Sequence, residues 1–244
     1  MRIRSSSRTA PFLVPFFVSA CGGSPSPAPE APSAHPHDHA HHDGHAHGAG
    51  GPDTLVHRFE RADEWAKTFD DPARDAWQKP ADVVKAMSIA PGMTVADLGA
   101  GTGYFEPWLA RAVGSTGSVL ALDVEVDMVR YMKERGAREG WTNVRAAEVA
   151  SDDPKLAPAS VDRILIVDTW HHIANRGAYA AKLKSALKPG GQVIIVDFTL
   201  AAPHGPPPAH RLAPDAVIAE LRAGGIEARV VPVDLPDQYV VVGR

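Results

Sequence analysis

Two runs of four apolar residues place the strongest constraint on how this chain folds. The runs I-L-I-V and V-I-I-V lie in residues 163–168 and 192–198, and no polar residue interrupts either run. A strand that is apolar at consecutive positions buries both of its faces, as parallel strands do when helices cover both sides of a sheet. Residues 175–187, between the two runs, have the spacing of a helix. We therefore predict a βαβ unit within a parallel sheet.

Helices and strands alternate along most of the remaining chain. The pattern predicts further strands at 94–98, 118–123, 143–149, 227–233 and 238–242, and further helices at 59–69, 80–87, 104–113, 125–136 and 214–223. The last two strands are joined by L-P-D, which is too short for a crossover helix, so they should pair antiparallel. The expected fold class is α/β: a doubly wound, seven-stranded, mostly parallel sheet with an antiparallel C-terminal hairpin.

The first residues have the parts of a secretory signal. Residues 1–20 begin with three arginines, continue with the apolar run P-F-L-V-P-F-F-V and lead into V-S-A-C. The run is shorter than the roughly 20 residues that span a bilayer. V-S-A-C resembles a bacterial lipobox, which implies acylation of Cys21, the only cysteine, and an anchor in the cell envelope. Gly22 is not an acidic retention signal, which favours the outer membrane, facing the periplasm. An ordinary signal peptide with an incidental cysteine is the alternative.

Residues 21–54 are expected to form a disordered tether before a domain at 55–244. This segment is rich in Pro, Ala, Ser and Gly and has almost no large apolar side chain. Clustered imidazoles can chelate zinc, nickel or copper, so weak binding of a divalent metal is expected without a fixed ligand set. A solvated spacer with inert histidines is the alternative. The tether carries seven of the twelve histidines: His35, His37, His39, His41, His42, His45 and His47.

A glycine loop follows the first predicted strand, in V-A-D-L-G-A-G-T-G-Y-F. Gly99, Gly101 and Gly103 are spaced two apart, and Asp97 stands two residues before the first of them. Glycine lets a backbone turn sharply and approach a ligand closely, and the helix that follows offers free N–H groups. The loop is therefore a predicted ligand-binding site.

The spacing of the glycines argues against two common nucleotide sites. The dinucleotide fingerprint G-x-G-x-x-G/A requires a small residue where Tyr104 or Glu106 stands, which disfavours a nicotinamide-dependent oxidoreductase. The G-K-[ST] of a phosphate-binding Walker loop is also missing from this loop.

The pattern D-x-G-x-G-x-G instead resembles the first motif of class I S-adenosylmethionine-dependent methyltransferases. L-K-P-G-G at 187–191 resembles the segment before that family's fifth strand, and the resemblance extends from about Trp77 to Arg244. It implies a Rossmann-like fold and S-adenosylmethionine as the cofactor. The site residues that it implies at the glycine loop are Asp97, Gly99, Gly101 and Gly103.

Two further acidic positions are candidate cofactor contacts. Asp123 comes twenty residues after Gly103, at the end of the second predicted strand, where a carboxylate can accept two hydrogen bonds from a ribose diol. A solvated carboxylate is the alternative. The resemblance also implies that Asp152 or Asp153 meets the adenine amino group, and Asp152 aligns better, although Asp153 followed by proline could simply begin a turn.

The catalytic candidates lie in D-T-W-H-H-I, after the fourth predicted strand. In the family that this chain resembles, the segment borders the acceptor pocket, so Asp168, His171 and His172 are candidates for acid–base or acceptor contacts. A histidine accepts a proton near neutral pH. As alternatives, the histidines cap the next helix or brace the loop, and a metal site with Asp168 remains open. The resemblance also places R-D-A-W-Q-K-P, at 74–80, over the cofactor, with Trp77 or Gln78 touching it.

The methyl acceptor is expected to be a small molecule. The net charge of −4 and the lack of a basic stripe argue against a nucleic-acid partner. Export separates the domain from cytosolic S-adenosylmethionine, so a non-catalytic envelope lipoprotein, possibly metal-binding through its histidines, is the competing hypothesis. The intact glycine loop argues against loss of cofactor binding.

Overall fold

The computed structural model describes residues 59–244; Cys21 and the histidine tract lie outside the described residues. The described chain alternates strands with helices, as the apolar pattern predicts. The strands are β1 (Thr94–Leu98), β2 (Ser118–Asp123), β3 (Val144–Glu148), β4 (Val161–Val167), β5 (Leu187–Phe198), β6 (Ala228–Val231) and β7 (Gln238–Gly243). The helices are α1 (Ala62–Phe69), α2 (Asp75–Gln78), α3 (Pro80–Ala86), α4 (Glu106–Val113), α5 (Val126–Glu139), α6 (Arg176–Ala186) and α7 (Pro214–Ala223).

The seven strands form one sheet in the order β3-β2-β1-β4-β5-β7-β6. Strands β1 to β5 are parallel, and β7 runs antiparallel to both of its neighbours, β5 and β6. The predicted fold class is therefore confirmed, including the antiparallel C-terminal pair. The chain moves outward from β1 to β3 and then returns to β4 on the other side of β1. The carboxyl ends of β1 and β4 thus flank the switch point, where α/β sheets of this kind bind ligands.

Helices cover both faces of the sheet because neighbouring residues of the apolar runs point to opposite sides. Ile164 and Ile166 join a cluster that includes Leu183 of α6 and Leu221 of α7. Leu165, between them, packs in a second cluster with residues of α3 and α4. All three residues of this run are fully buried, and burying each such side chain stabilises the fold by about 1.5–3 kcal/mol. No helix within residues 59–244 is long and apolar enough to cross a membrane.

Of the element boundaries that differ from the predictions, those of α5 and β5 have a local explanation. Helix α5 continues through Gly136 to Glu139 and ends at Gly140, which has φ of 72°. Gly136 is required by packing and is not the end of the helix, because a side chain there would press on the ring of Trp141. Strand β5 begins at Leu187 rather than at 192, because Leu187 pairs with Val161 before a register shift in β4. L-K-P-G-G therefore follows the end of α6 but lies within the strand.

Candidate functional site

The glycine loop turns directly against the end of β4. Gly99, Gly101 and Gly103 have φ of 76°, 58° and 82°, in the left-handed region that favours glycine. A Cβ at Gly99 would overlap the side chain of Thr169, and one at Gly103 would lie 2.9 Å from the ring of Trp141. Two of the glycines are therefore required by packing as well as by backbone conformation, and the loop is held close to Asp168 and its neighbours.

Asp123 is bonded into the glycine loop. It ends β2, is 7% exposed, and its Oδ2 accepts the Gly101 N–H at 2.7 Å while its Oδ1 accepts the Glu125 N–H at 2.9 Å. Burial raises the pKa of Asp123, and these two backbone donors oppose that rise. An ionised carboxylate has about four acceptor sites, so it retains capacity for further donors.

Asp97 and Glu106 form a buried pair of carboxyl groups behind the loop. Asp97 is 3% exposed and Glu106, the first residue of α4, is fully buried. Burial raises the pKa of Asp97 to about 7, and burial together with the charge of Asp97 raises the pKa of Glu106 well above its usual range. Neither oxygen of Glu106 finds a separate donor among the described residues. Two buried carboxyl groups that face each other favour a shared proton over two negative charges.

His171 is paired with a second buried carboxylate, Asp197. The Nδ1 of His171 lies 3.0 Å from both carboxylate oxygens of Asp197, which is fully buried near the end of β5. An ionised Asp197 makes Nδ1 the protonated nitrogen and leaves the lone pair on Nε2. Sequence reasoning missed Asp197, although an acid after the apolar run V-I-I-V was a usable signal.

His172 lies on the other side of His171. Its ring centroid is 4.2 Å from that of His171, and the ring of Phe59 meets it edge-on at 6.0 Å. Neither histidine caps the next helix: α6 begins after Asn175 without a side-chain cap hydrogen bond. The structure thus brings His171 into contact with a buried carboxylate.

Asp168 ends a chain of hydrogen bonds that begins at Arg74. Arg74 donates to Gln78 Oε1, Gln78 Nε2 donates to Gln238 Oε1 at 2.5 Å, and Gln238 Nε2 donates to Asp168 Oδ1 at 2.6 Å. Burial raises the pKa of Asp168 to about 7; Arg74 opposes this rise and Asp197 adds to it. Because Arg74 donates to Gln78, the orientation of both amides is set, and Asp168 Oδ1 must act as an acceptor. Gln238, at the start of β7, was not foreseen.

Residues 62–78, which we call the N-terminal cap, lie over the glycine loop. The carboxylate of Asp70 accepts bonds from Thr102 Oγ1 at 2.8 Å and Arg135 Nη1 at 2.9 Å, and the hydroxyl of Tyr104 donates to Asp75. The ring of Trp77 contacts that of His204, with centroids 4.6 Å apart. The cap therefore packs against the glycine loop, and its contact with the cofactor stays a prediction.

The acidic candidates Asp152 and Asp153 follow β3. Asp152 is exposed, and its backbone oxygen, rather than its carboxylate, accepts a bond from Lys182. Asp153 Oδ1 accepts the N–H of Lys155, as in a turn. Within residues 59–244, no three His, Cys, Asp or Glu side chains are grouped to hold a metal ion, near Asp168 or elsewhere.

Comparison with known proteins identifies a family across this region. A family model described as a methyltransferase domain matches residues 89–222, more than half of the 244 residues. A crystal structure of an S-adenosylmethionine-dependent methyltransferase from Aquifex aeolicus is 31% identical, with a TM-score of 0.70, and the match covers 74% of this chain and 96% of that one. A Haloferax volcanii methyltransferase complex with the activator Trm112 is 17% identical with a TM-score of 0.61, over 75% of this chain and 96% of the matched one, and supports the fold alone.

Curated relatives match a shorter part of the chain. A ubiquinone/menaquinone biosynthesis C-methyltransferase (UbiE) of Shewanella pealeana is 28% identical over 117 residues, 48% of this chain and 47% of the relative. The corresponding protein of Hydrogenovibrio crunogenus is 28% identical over 124 residues, 50% of this chain and 48% of the relative. The chain thus spans about half the length of the curated relatives it matches.

Proposed function

The chain belongs to the methyltransferase domain family, and we propose that it transfers a methyl group from S-adenosylmethionine to a small molecule that loses a proton in the reaction. The membership confirms the class of enzyme and the cofactor that the glycine motif predicted. The observation that carries the choice of acceptor is the buried pair of His171 and Asp197 at the strand ends beside the glycine loop. A histidine held by a carboxylate is suited to accepting a proton.

The residues around the loop fit the chemistry of this cofactor. S-adenosylmethionine carries a ribose diol, and Asp123 keeps acceptor capacity after its two backbone bonds. Its sulfonium and ammonium groups are positive, and a positive ligand favours the ionised form of the buried carboxyls of Asp97 and Asp168, which burial alone disfavours. We assign cofactor contacts to Asp97, Asp123 and the three loop glycines, and an adenine contact to Asp152.

The chain's own residues align the acceptor and manage its proton. The cofactor, when bound, supplies an activated methyl group that is transferred by in-line displacement, so alignment and exclusion of water are the main tasks of the protein. His171 Nε2 receives the acceptor proton, and Asp197 stabilises the resulting imidazolium through Nδ1–H. Asp168 accepts a hydrogen bond from the acceptor. His172 packs against His171 and keeps its ring in place.

The acceptor class is a molecule with an acidic O–H, N–H or C–H bond. Carbon acids belong in the class because the curated relatives are named as C-methyltransferases. A screen of the purified protein, with methyl-labelled S-adenosylmethionine and phenols, enols and thioethers as acceptors, tests this proposed acceptor class. Transfer to phenols or enols supports the proposal, and transfer confined to thioethers, which have no proton to lose, contradicts it.

Binding of S-adenosylmethionine to the full chain tests the cofactor site. We expect Asp123→Ala to weaken binding by about 10- to 100-fold, since a hydrogen bond to a charged group contributes about 1.5–3 kcal/mol. Asp215→Ala, an exposed carboxylate in the first turn of α7, is the control and should bind as the wild type does. Equal affinity of Asp123→Ala and wild type in calorimetry removes Asp123 from the site. A wild type that binds no cofactor supports the non-catalytic lipoprotein instead.

We extend the proposal to the residues before the domain. A signal peptide at 1–20, an acylated Cys21 and a tether at 21–54 would hold the enzyme at the envelope, on the evidence of the sequence alone. The seven histidines of the tether would bind divalent metal weakly. In this location the reaction requires cofactor that has reached the envelope.

A further inference from the structure

We propose that Arg74, in the N-terminal cap, binds the carboxylate of the cofactor's amino-acid portion. This inference rests on the proposed function and assigns a role that the sequence motifs did not.

Arg74 sits between the glycine loop and the end of β4. Its guanidinium carbon lies 4.1 Å from the centre of the Tyr104 ring, the first residue after the last loop glycine. Its Nη2 is 3.9 Å from Asp168 Oδ2, and its side chain is 15% exposed. The group therefore occupies the switch point of the sheet, where the cofactor of such a fold lies.

Two N–H groups of this guanidinium lack a partner among the described residues. Nε and Nη2 donate to Gln78 Oε1 at 3.3 and 3.0 Å, and Nη1 donates to Phe69 O at 2.9 Å. An arginine has five N–H groups, so Nη1 and Nη2 each keep one. The nearest carboxylate, Asp168, is beyond hydrogen-bonding distance at 3.9 Å. One free donor on each of Nη1 and Nη2 can serve the two oxygens of a carboxylate.

The charge of the site leaves the same gap. The buried acids of the site suit the sulfonium and the ammonium of the cofactor. The carboxylate of the cofactor, in contrast, needs a cation. Arg135 also lies near the loop, yet it is already paired with Asp70 at 2.9 Å and Glu139 at 2.8 Å. Arg74 makes no ion pair that short, so among the described residues near the loop it is the cation that remains available.

The neighbouring amides hold Arg74 in this position. Gln78 Oε1 receives two of its donors, and Gln78 is itself fixed by Gln238, which is bonded to Asp168. The guanidinium is therefore preorganised, with its free donors directed away from Gln78, and little conformational entropy is lost when a carboxylate binds.

Binding of two ligands that differ only in the amino-acid portion tests the assignment. S-adenosylhomocysteine has this carboxylate, and 5′-methylthioadenosine keeps the adenosine thioether but lacks it. In calorimetry with the full chain, we expect Arg74→Met to weaken the binding of S-adenosylhomocysteine by about 10- to 100-fold. The affinity for 5′-methylthioadenosine should be unchanged. Arg74→Lys keeps the positive charge but not the paired guanidinium donors, so it should lose less affinity for S-adenosylhomocysteine. Arg130→Met, an exposed arginine of α5 that pairs with Asp63 in the cap, should change neither affinity.

Three results would overturn the assignment. An equal loss for both ligands, with a lowered melting temperature, would make Arg74 a structural support of the cap. Unchanged affinity for both in Arg74→Met and Arg74→Lys would place the guanidinium outside the cofactor site. Failure of the wild type to bind either ligand would instead reject the proposed function, on which the assignment depends.

Discussion

At the scale of single residues, the site is defined by carboxyl groups that differ in their partners. Asp123 accepts backbone N–H groups, Asp197 faces a histidine, and Asp97 faces a second carboxyl group. Each partner favours a different protonation state: donors favour the ionised form, and a neighbouring acid favours the neutral one. Residues of one chemical type can therefore bind a ligand, orient a base or store a proton in the same site.

The first residue-scale prediction concerns His171 and Asp197. In nitrogen-15 NMR of the full chain, we expect His171 to be protonated at Nδ1 and not at Nε2, because Asp197 accepts a bond from Nδ1. Asp197→Asn should remove this preference. Loss of the signal in His171→Gln assigns the resonance. Once an acceptor is known, Asp197→Asn should lower the turnover rate and shift the pH profile of turnover. His171→Gln should lower the turnover rate by about 10²–10⁴-fold.

Cofactor affinity separates this role from a structural one. Both variants should bind S-adenosylhomocysteine as tightly as the wild type does. If they melt early but turn over normally when folded, the pair is scaffolding, and the base must lie elsewhere.

A second prediction follows from the proton shared by Asp97 and Glu106. Their pKa values are raised in the folded protein, to about 7 for Asp97, so the folded state binds more protons than the unfolded state above about pH 4. The free energy of unfolding should therefore fall as pH rises from about 5 to 8, by up to about 1.4 kcal/mol per unit for each proton. Glu106→Gln, which can still donate to Asp97, should reduce this slope and raise stability at pH 8. Urea unfolding at several pH values measures the slope of the free energy of unfolding against pH. An equal slope in Glu106→Gln and the wild type would refute the shared proton.

At the scale of elements, the glycine loop is shaped by what packs against it. Thr169, after β4, fills the space where Gly99 would otherwise carry a side chain, so the ends of β1 and β4 are in direct contact. Spacing alone predicted the loop, but the neighbour that makes Gly99 necessary comes seventy positions later in the chain.

Alanine substitution at two glycines separates backbone strain from packing. A methyl group added at Gly140, with φ of 72°, would meet no other atom within 4 Å, whereas one added at Gly99, with φ of 76°, would clash with Thr169. We expect Gly140→Ala to lower the free energy of unfolding by about 1 kcal/mol, from strain alone. Gly99→Ala should lower the free energy of unfolding by about 1–3 kcal/mol more than Gly140→Ala does, because the added methyl group overpacks the contact with Thr169. If denaturant unfolding shows equal destabilisation of the two variants, the glycine loop accommodates the added methyl group without an energetic penalty from packing.

At the scale of the whole molecule, the proposed lipid anchor determines where the reaction takes place. We expect the wild type to fractionate with membranes in its native host, because acyl chains contribute about 0.8 kcal/mol per buried methylene. Cys21→Ser should release the protein or leave its precursor uncut. Mass spectrometry identifies the amino terminus, and an intact Met1 would contradict the anchor and indicate a cytosolic enzyme.

The sequence by itself determined the fold class and the position of the glycine loop. Consecutive apolar residues specify a strand buried on both faces, and regular glycine spacing specifies a tight turn, because both are properties of adjacent residues. The antiparallel end then followed from one connection that is too short for a crossover helix. The ends of β1, β2 and β4 carry most of the candidate residues, although their roles as contacts stay predictions.

Only the tertiary structure decided which side chains meet. The bond between Gln78 and Gln238 joins residues 160 positions apart, and His171 reaches Asp197 across 26 positions. Arg74 and Glu106 acquire their importance from burial beside other charges, which no local pattern of residues encodes. Sequence spacing records the periodicity of a single element, whereas pairs between elements depend on the order in which the strands assemble. The fold could therefore be predicted from the chain alone, and the hydrogen-bonded network of the site could not.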